Sequence, residues 1–264
     1  MQNTFSFSRL WLLIKKQWFD NSKLYTLATL ALLGLLTIIF IIWYIANQYD
    51  YYFNEEGTNV IFFIMLFVSG LIFSSTTFSM LGDKGKGIYW LSVPATALEK
   101  LACGVFYSFI VFLTVYLAGF WIIKHTTFFL IELNPRNTLE RVKPHDIFEG
   151  EVAPVLMYTF LAFQALFLLG SVYFERFAFI KTVLIQMLIG FLFFMFLNFL
   201  FHTFLPNNFN MGGLTSYRIY ENNGAQKIYE LPHWIEDILK PVAKFIWAPV
   251  FLTATYFRLK EKEI

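Results

Sequence analysis

Five uninterrupted apolar runs of membrane-spanning length decide most of what this chain can become. They cover Leu24 to Ala46, Val60 to Leu81, Leu101 to Ile123, Ala153 to Phe174 and Phe179 to Phe201. At about 1.5 Å of rise per helical residue, each can cross the ~30 Å hydrocarbon layer, inside which every backbone N–H and C=O must find a partner within the protein. Helix is the only solution open to such isolated runs. A sixth run, Val242 to Phe257, is shorter, contains Pro249 and starts beside Lys244, so as a span it requires snorkelling and a neighbouring helix. The expectation is an all-α integral membrane protein with six transmembrane helices. Composition agrees, because 58% hydrophobic, 21% aromatic and 14% charged residues in a chain of 264 lie far from a soluble domain of that length.

Lys and Arg mark the cytoplasmic side of a membrane protein. With six spans, one side collects Arg9, Lys15, Lys16, Lys23, Lys84, Lys86, Lys100, Arg176, Lys181, Arg258, Lys260 and Lys262 against six acids, a net charge of +6. The other side carries the remaining 8 cations and 12 acids, net −4, and its first loop, Asn47 to Asn59, has Asp50, Glu55 and Glu56 with no Lys or Arg. Both termini are therefore expected in the cytoplasm. The overall charge of +2 conceals this asymmetry and gives no reason to expect nucleic acid as a partner.

The first run is full length, begins at Leu24 and lacks a small-x-small cleavage site, so it reads as a retained span and not a signal peptide. Ahead of it, Phe7, Leu10, Trp11, Ile14 and Trp18 fall on one helical face, with Arg9, Lys16 and Asp20 away from it. That pattern reads either as an interfacial elbow helix over residues 1–23 or as a basic flank anchoring the span. Residues 24–264 then form the six-span domain.

Between the second and third runs lies Gly82 to Lys100, a charged loop on the cytoplasmic side. Gly82, Gly85 and Gly87 supply turn freedom, Pro94 fixes a bend, and Thr96-x-x-Glu99 is a capping box, so a helix should begin near Thr96 and continue into the third span. On the opposite side, Lys124 to Glu151 reads as irregular surface with Pro135 and Pro144. Within Leu205 to Pro241, Pro232 can open a helix whose face of Trp234, Ile235, Ile238 and Leu239 suits the outer interface.

None of the first five spans contains an internal Asp, Glu, Lys, Arg or His, except His202 at the far edge of the fifth, whereas ion-coupled carriers keep an ionisable relay there despite its cost. The energy for any transport must then come from another subunit. Gly82-Asp-Lys-Gly-Lys-Gly lacks the Gly-x-x-x-x-Gly-Lys-Ser/Thr arrangement that cradles phosphates and reads as a solvated loop. Enzymatic chemistry finds no constellation: Cys103 is alone, His125, His145, His202 and His233 lack metal spacing, and Glu55-Glu56 sit in the acidic outer loop with no His nearby. Hydroxyls such as Ser69, Ser74, Ser75, Thr76, Thr77 and Ser79 suit helix packing. Gln164 and Gln186 are costlier to bury and are the candidate pathway residues. Phe191, Phe193, Phe194, Phe196, Phe199 and Phe201 surround their helix and suit lipid and bundle contacts.

This layout, with Tyr89-Trp90-Leu91-Ser92-Val93-Pro94-Ala95-Thr96-Ala97-Leu98-Glu99-Lys100 after the second span, resembles the membrane-spanning subunit of a bacterial ABC-2-type ATP-binding-cassette exporter over nearly the whole chain. The stretch is similar to an L-x-L-P-A-S-x-x-E-K pattern of that group, with Thr96 in place of Ser, and the long loop after span three departs from the commonest layout. The resemblance implies an elbow helix, six spans and a coupling helix in loop 82–100. It implies Tyr89, Trp90, Leu91, Pro94, Thr96, Leu98 and Glu99 as the ATPase docking residues, joined by Glu175 and Arg176 of the second cytoplasmic turn. It also implies a second permease subunit, a separate ABC ATPase that binds ATP and Mg, and the bacterial inner membrane. The competing class is a non-transporting scaffold or accessory subunit of an envelope complex.

Overall fold

The computed structural model describes residues 5–47, 56–82, 84–133, 152–174, 176–204, 209–211, 216–220, 226–230 and 233–262. The chain forms two compact units, Met1–Phe179 with Ala248–Ile264, and Ile180–Trp247. In chain order the helices are α1 (Phe7–Asn47), α2 (Glu56–Thr76), α3 (Lys84–Leu91), α4 (Ala97–Val105), α5 (Phe112–Glu132), α6 (Val152–Tyr173), α7 (Ala178–Phe204), α8 (His233–Phe245) and α9 (Trp247–Lys262). A 3-10 turn, Ser79–Gly82, precedes α3, and a π turn, Phe106–Val111, joins α4 to α5 in one continuous helix.

Among the described residues five helices are long and apolar enough to cross a membrane: Phe7–Asn47, Gly57–Thr76, Ala97–Ile131, Val152–Tyr173 and Ala178–Leu200. The chain is thus a multi-pass membrane protein, as the apolar runs predict. The sixth run is not one helix. It is divided at Ile246 between α8 and α9, and α9 has only 16 residues. The N-terminal stretch is likewise not a separate element, because α1 runs unbroken for 41 residues. Asn21, Ser22 and Thr26, which could have ended a first helix, instead bond back to the carbonyls of Gln17, Phe19 and Lys23 and let it continue. Helix also reaches Glu132, nine residues past the predicted end of the third span at Ile123, while 134–151 lie outside the described residues.

The first unit is held by an aromatic core between α1, α2, α5 and α6. Leu36, Phe40, Phe62, Met65, Leu66, Phe112, Tyr116, Phe120 and Phe160 are buried there. Lipid tails are as apolar as these side chains, so close packing and not escape from water selects this arrangement. Gly70 shows how close: a Cβ at that position would come within 2.6 Å of the Phe160 ring and 3.0 Å of Phe112. Tyr116 buries its hydroxyl and donates it to the Phe62 carbonyl at 2.6 Å, which satisfies that polar atom inside the aromatic layer. Most of the small hydroxyls do what sequence suggests, with Ser69, Ser75, Thr76, Thr77 and Ser79 all donating to carbonyls of their own helical stretch.

In the second unit, α7 is followed by a three-stranded antiparallel sheet in the order β1 (Phe209–Met211), β2 (Ser216–Tyr220) and β3 (Gln226–Glu230). Tyr217 pairs with Met211 on one side and Tyr229 on the other. The membrane part is helical as expected; this small sheet is an addition that the apolar runs do not announce. The helix expected after Pro232 is present as α8, with Trp234 and Ile238 exposed.

Candidate functional site

Among the described residues a dense set of polar contacts lies where α4 meets the start of α1, with α3 beside it. Thr96 is the N-cap of α4: its backbone is extended and its hydroxyl accepts the Glu99 amide at 3.3 Å, while the Thr96 amide donates to Glu99 Oε2 at 2.8 Å. The capping box read from the sequence is therefore complete. Glu99 goes further. Its Oε1 accepts the Ser6 amide at 2.7 Å, Arg9 Nη2 at 2.9 Å and Arg9 Nε at 3.2 Å, and its side chain is 0% exposed. One carboxylate thus closes the N-terminus of α4 and ties the beginning of α1 to it, with the guanidinium supplying charge-assisted bonds.

Two turns of α1 complete the clamp. Leu13 is buried with Cys103 and Tyr107, flanked by Leu10, Ile14 and Val93, and the Tyr107 hydroxyl donates to the Ile14 carbonyl at 2.7 Å. Tyr25 stacks on Tyr107 at 5.2 Å and receives a hydrogen bond from Gln17. Lys16 places its ammonium 4.2 Å from the centre of the Tyr89 ring on α3. The predicted apolar face of α1 is therefore split. Leu10 and Ile14 turn toward α4 and Phe7, Trp11 and Trp18 point outward, while Leu13, which lay outside the predicted face, is the buried centre.

Residues Lys84–Leu91 form a helix and not the open loop that three glycines suggested. Gly87 fits because a Cβ there would stand 3.2 Å from the Leu81 carbonyl oxygen, so α3 can fold back tightly on the 3-10 turn. Trp90 points inward, 7% exposed, edge-on to Phe78 at 5.6 Å, with the Lys100 ammonium 5.3 Å from its ring. Phe78, Trp90 and Ala97 share one core cluster with Leu168 and Val172 of α6 and Leu259 of α9. Trp90 is thus an internal anchor, a correction to its expected place on a docking face. Tyr89, 60% exposed, Ile88 and Leu98 are the apolar side chains that face outward, with Pro94 exposed between α3 and α4. Leu91 ends α3.

Of the other sequence candidates, Arg176 is exposed and Glu175 lies outside the described residues. Gln164 is fully buried in α6, donating to the Ser108 carbonyl. Gln186 belongs to α7 in the second unit. The structure brings together Trp90, Thr96 and Glu99 but adds Ser6, Arg9, Leu13 and Lys16, to which no sequence motif assigns a role. Arg9, Leu13 and Lys16 recur at i, i+4 and i+7, a helical face that a search for apolar residues alone passes over. No protein-family model, curated protein or solved structure matches the chain.

The two components of this corner can be separated. Thr96→Ala is expected to cost about 0.5–2 kcal/mol, the usual effect of losing an N-cap, because Glu99 keeps its bonds from Ser6 and Arg9. Chemical unfolding in detergent micelles measures it, and a loss beyond that range would mean that Thr96 supports more than the first turn of α4.

Proposed function

We propose that this chain is the membrane-spanning permease subunit of an ABC-2-type transporter that exports a substrate across the bacterial inner membrane. In this reading α9 makes the sixth crossing, aided by snorkelling of Arg258, Lys260 and Lys262, and the first turns of α1 act as the interfacial elbow. Both termini lie in the cytoplasm. A second permease subunit, identical or homologous, completes the pathway, and a separate ATPase binds ATP and Mg and docks on the α3–α4 corner.

The observation that carries the proposal is the division of that corner into a braced back and an apolar front. Trp90 and Glu99 fix it from behind, and Ile88, Tyr89 and Leu98 stand exposed beyond them. An aromatic and aliphatic patch on a rigid support is the kind of anchor that dominates an interface, since little side-chain order is lost on docking. The same bracing suits a coupling element, which must transmit displacement without folding away from it.

Native mass spectrometry of the tagged chain, extracted gently from its own membranes, tests the reading. An ATP-hydrolysing subunit should accompany it, and the double substitution Tyr89→Ala with Leu98→Asp should lower that association at least about tenfold, the cost of one well-packed anchor. A chain that carries no ATPase under any nucleotide condition would favour the scaffold class instead.

A further inference from the structure

The helix that begins with the α3–α4 corner contains a defect whose chemistry is a choice between two donors. In a regular α-helix the Phe112 amide would bond to the Ser108 carbonyl four residues back. Here it bonds to the carbonyls of Tyr107 and Phe109, and the intervening Ser108 carbonyl is taken by Nε2 of Gln164 from α6. The result is the π turn Phe106–Val111, and π turns of this kind cluster at functional positions. The Ser108 hydroxyl does not compete, because it donates to the Gly104 carbonyl at 2.8 Å.

Packing places this exchange in a buried polar layer. One turn away, Gly70, Phe112 and Phe160 meet from α2, α5 and α6. A step of four residues along each helix from that contact reaches Ser74, Ser108 and Gln164, all 0% exposed. Gln164 Oε1 and Ser74 Oγ are both buried without a hydrogen-bond partner. The π form leaves two buried polar atoms unsatisfied, a cost that the α form can offset by returning the Ser108 carbonyl to its own helix and freeing Gln164 to pair elsewhere.

We infer that Gln164 and the Phe112 amide are alternative donors to the Ser108 carbonyl, so that the third span is a two-state hinge switching between a π and an α form at Phe106–Val111. Moving between them shifts the phase of α4 relative to α5 by about 100°, one residue's share of a 3.6-residue turn. The turn is taken up either by α4, which opens the Glu99–Arg9 clasp and the Leu13 cluster, or by α5, which unseats the aromatic core. The hinge stands on this helix and Gln164 of α6, and the transport reading supplies only its use.

Spin labels at Leu98 and Thr76, on a Cys103→Ser background in the full chain in lipid nanodiscs, read the phase directly. Gln164→Leu removes the competing donor and should bring in a second label distance displaced on the order of 5 Å, as expected for a side chain carried round a helix 10–12 Å across. Deleting Ile110, an exposed residue of the π turn, removes the surplus residue. In that background Gln164→Leu should leave the distance unchanged. If Gln164→Leu prevents folding of the intact chain but not of the deletion variant, the glutamine holds a fixed π turn with no reachable α form, and the two-state inference fails. An unchanged distance distribution in the intact chain, or equal damage to folding in both backgrounds, overturns it.

Discussion

Glu99→Ala is expected to destabilise the protein by about 3 kcal/mol, near the lower end of the loss caused by stripping one partner from a buried ion pair. The lower end applies because Arg9, 31% exposed, regains water when it loses the carboxylate. Three separate effects combine in that figure: the cap of α4 opens, the Ser6 amide loses its acceptor, and the guanidinium is left beside an apolar cavity. Glu99→Gln distinguishes them, since its amide oxygen can still accept from Thr96 or Ser6 but carries no charge, and about half the loss should return. Equilibrium unfolding of the wild type, both variants, Arg9→Met and the double variants forms a double-mutant cycle. A Glu99–Arg9 coupling below about 0.5 kcal/mol, the range of exposed ion pairs, would show that the clasp is not formed in the membrane-embedded protein.

Trp90→Ala should cost about 3–5 kcal/mol, as large-to-small changes of buried aromatic residues do. The loss falls on one place. Phe78 and the Lys100 ammonium each lose the ring they contact, and α3, only eight residues long, has no other buried aromatic anchor among its described side chains. Limited proteolysis at the lysines of 84–86 should therefore accelerate well before the aromatic core opens, whereas Trp90→Phe should retain most of the protection. If an ATPase accompanies the chain, Trp90→Ala should release it through loss of α3, with Ile88 and Tyr89 chemically intact. Unchanged proteolysis would place the anchor of the corner elsewhere.

How much the residues disclose in advance depends on the range of the interactions. The five spans are legible because the hydrocarbon layer imposes helix and length on any apolar run. The Thr96–Glu99 capping box is legible because both of its bonds are local. The Glu99–Arg9 pair spans 90 positions, so no local pattern marks it, and Glu99 reads as a cap alone. Helix α3 escapes notice because Gly85 and Gly87 weigh against helix by intrinsic preference, whereas in the fold Gly87 serves an approach to the Leu81 carbonyl that any side chain would crowd. The sheet leaves only a weak signal: Ser216–Tyr220 and Gln226–Glu230 carry the strand-forming residues Tyr217, Ile219, Tyr220, Ile228 and Tyr229, and the turn-forming pair Asn223-Gly224 lies between them in the sequence. The π turn leaves none. Phe106–Val111 has the composition of ordinary span, and only the glutamine opposite it, 56 residues away from Ser108, is unusual.

The unbroken length of α1 gives the molecule a lever. Its 41 residues make a rod about 60 Å long at 1.5 Å per residue. One arm lies among the apolar side chains around Leu36 and Phe40, and the other carries Arg9, Leu13 and Lys16 against α3 and α4. A tilt of about 10° about the midpoint displaces each end by about 5 Å, on the scale of a helical turn. Reorientation of the first span is then felt at the α3–α4 corner as a pull on Glu99, without any loop to absorb it.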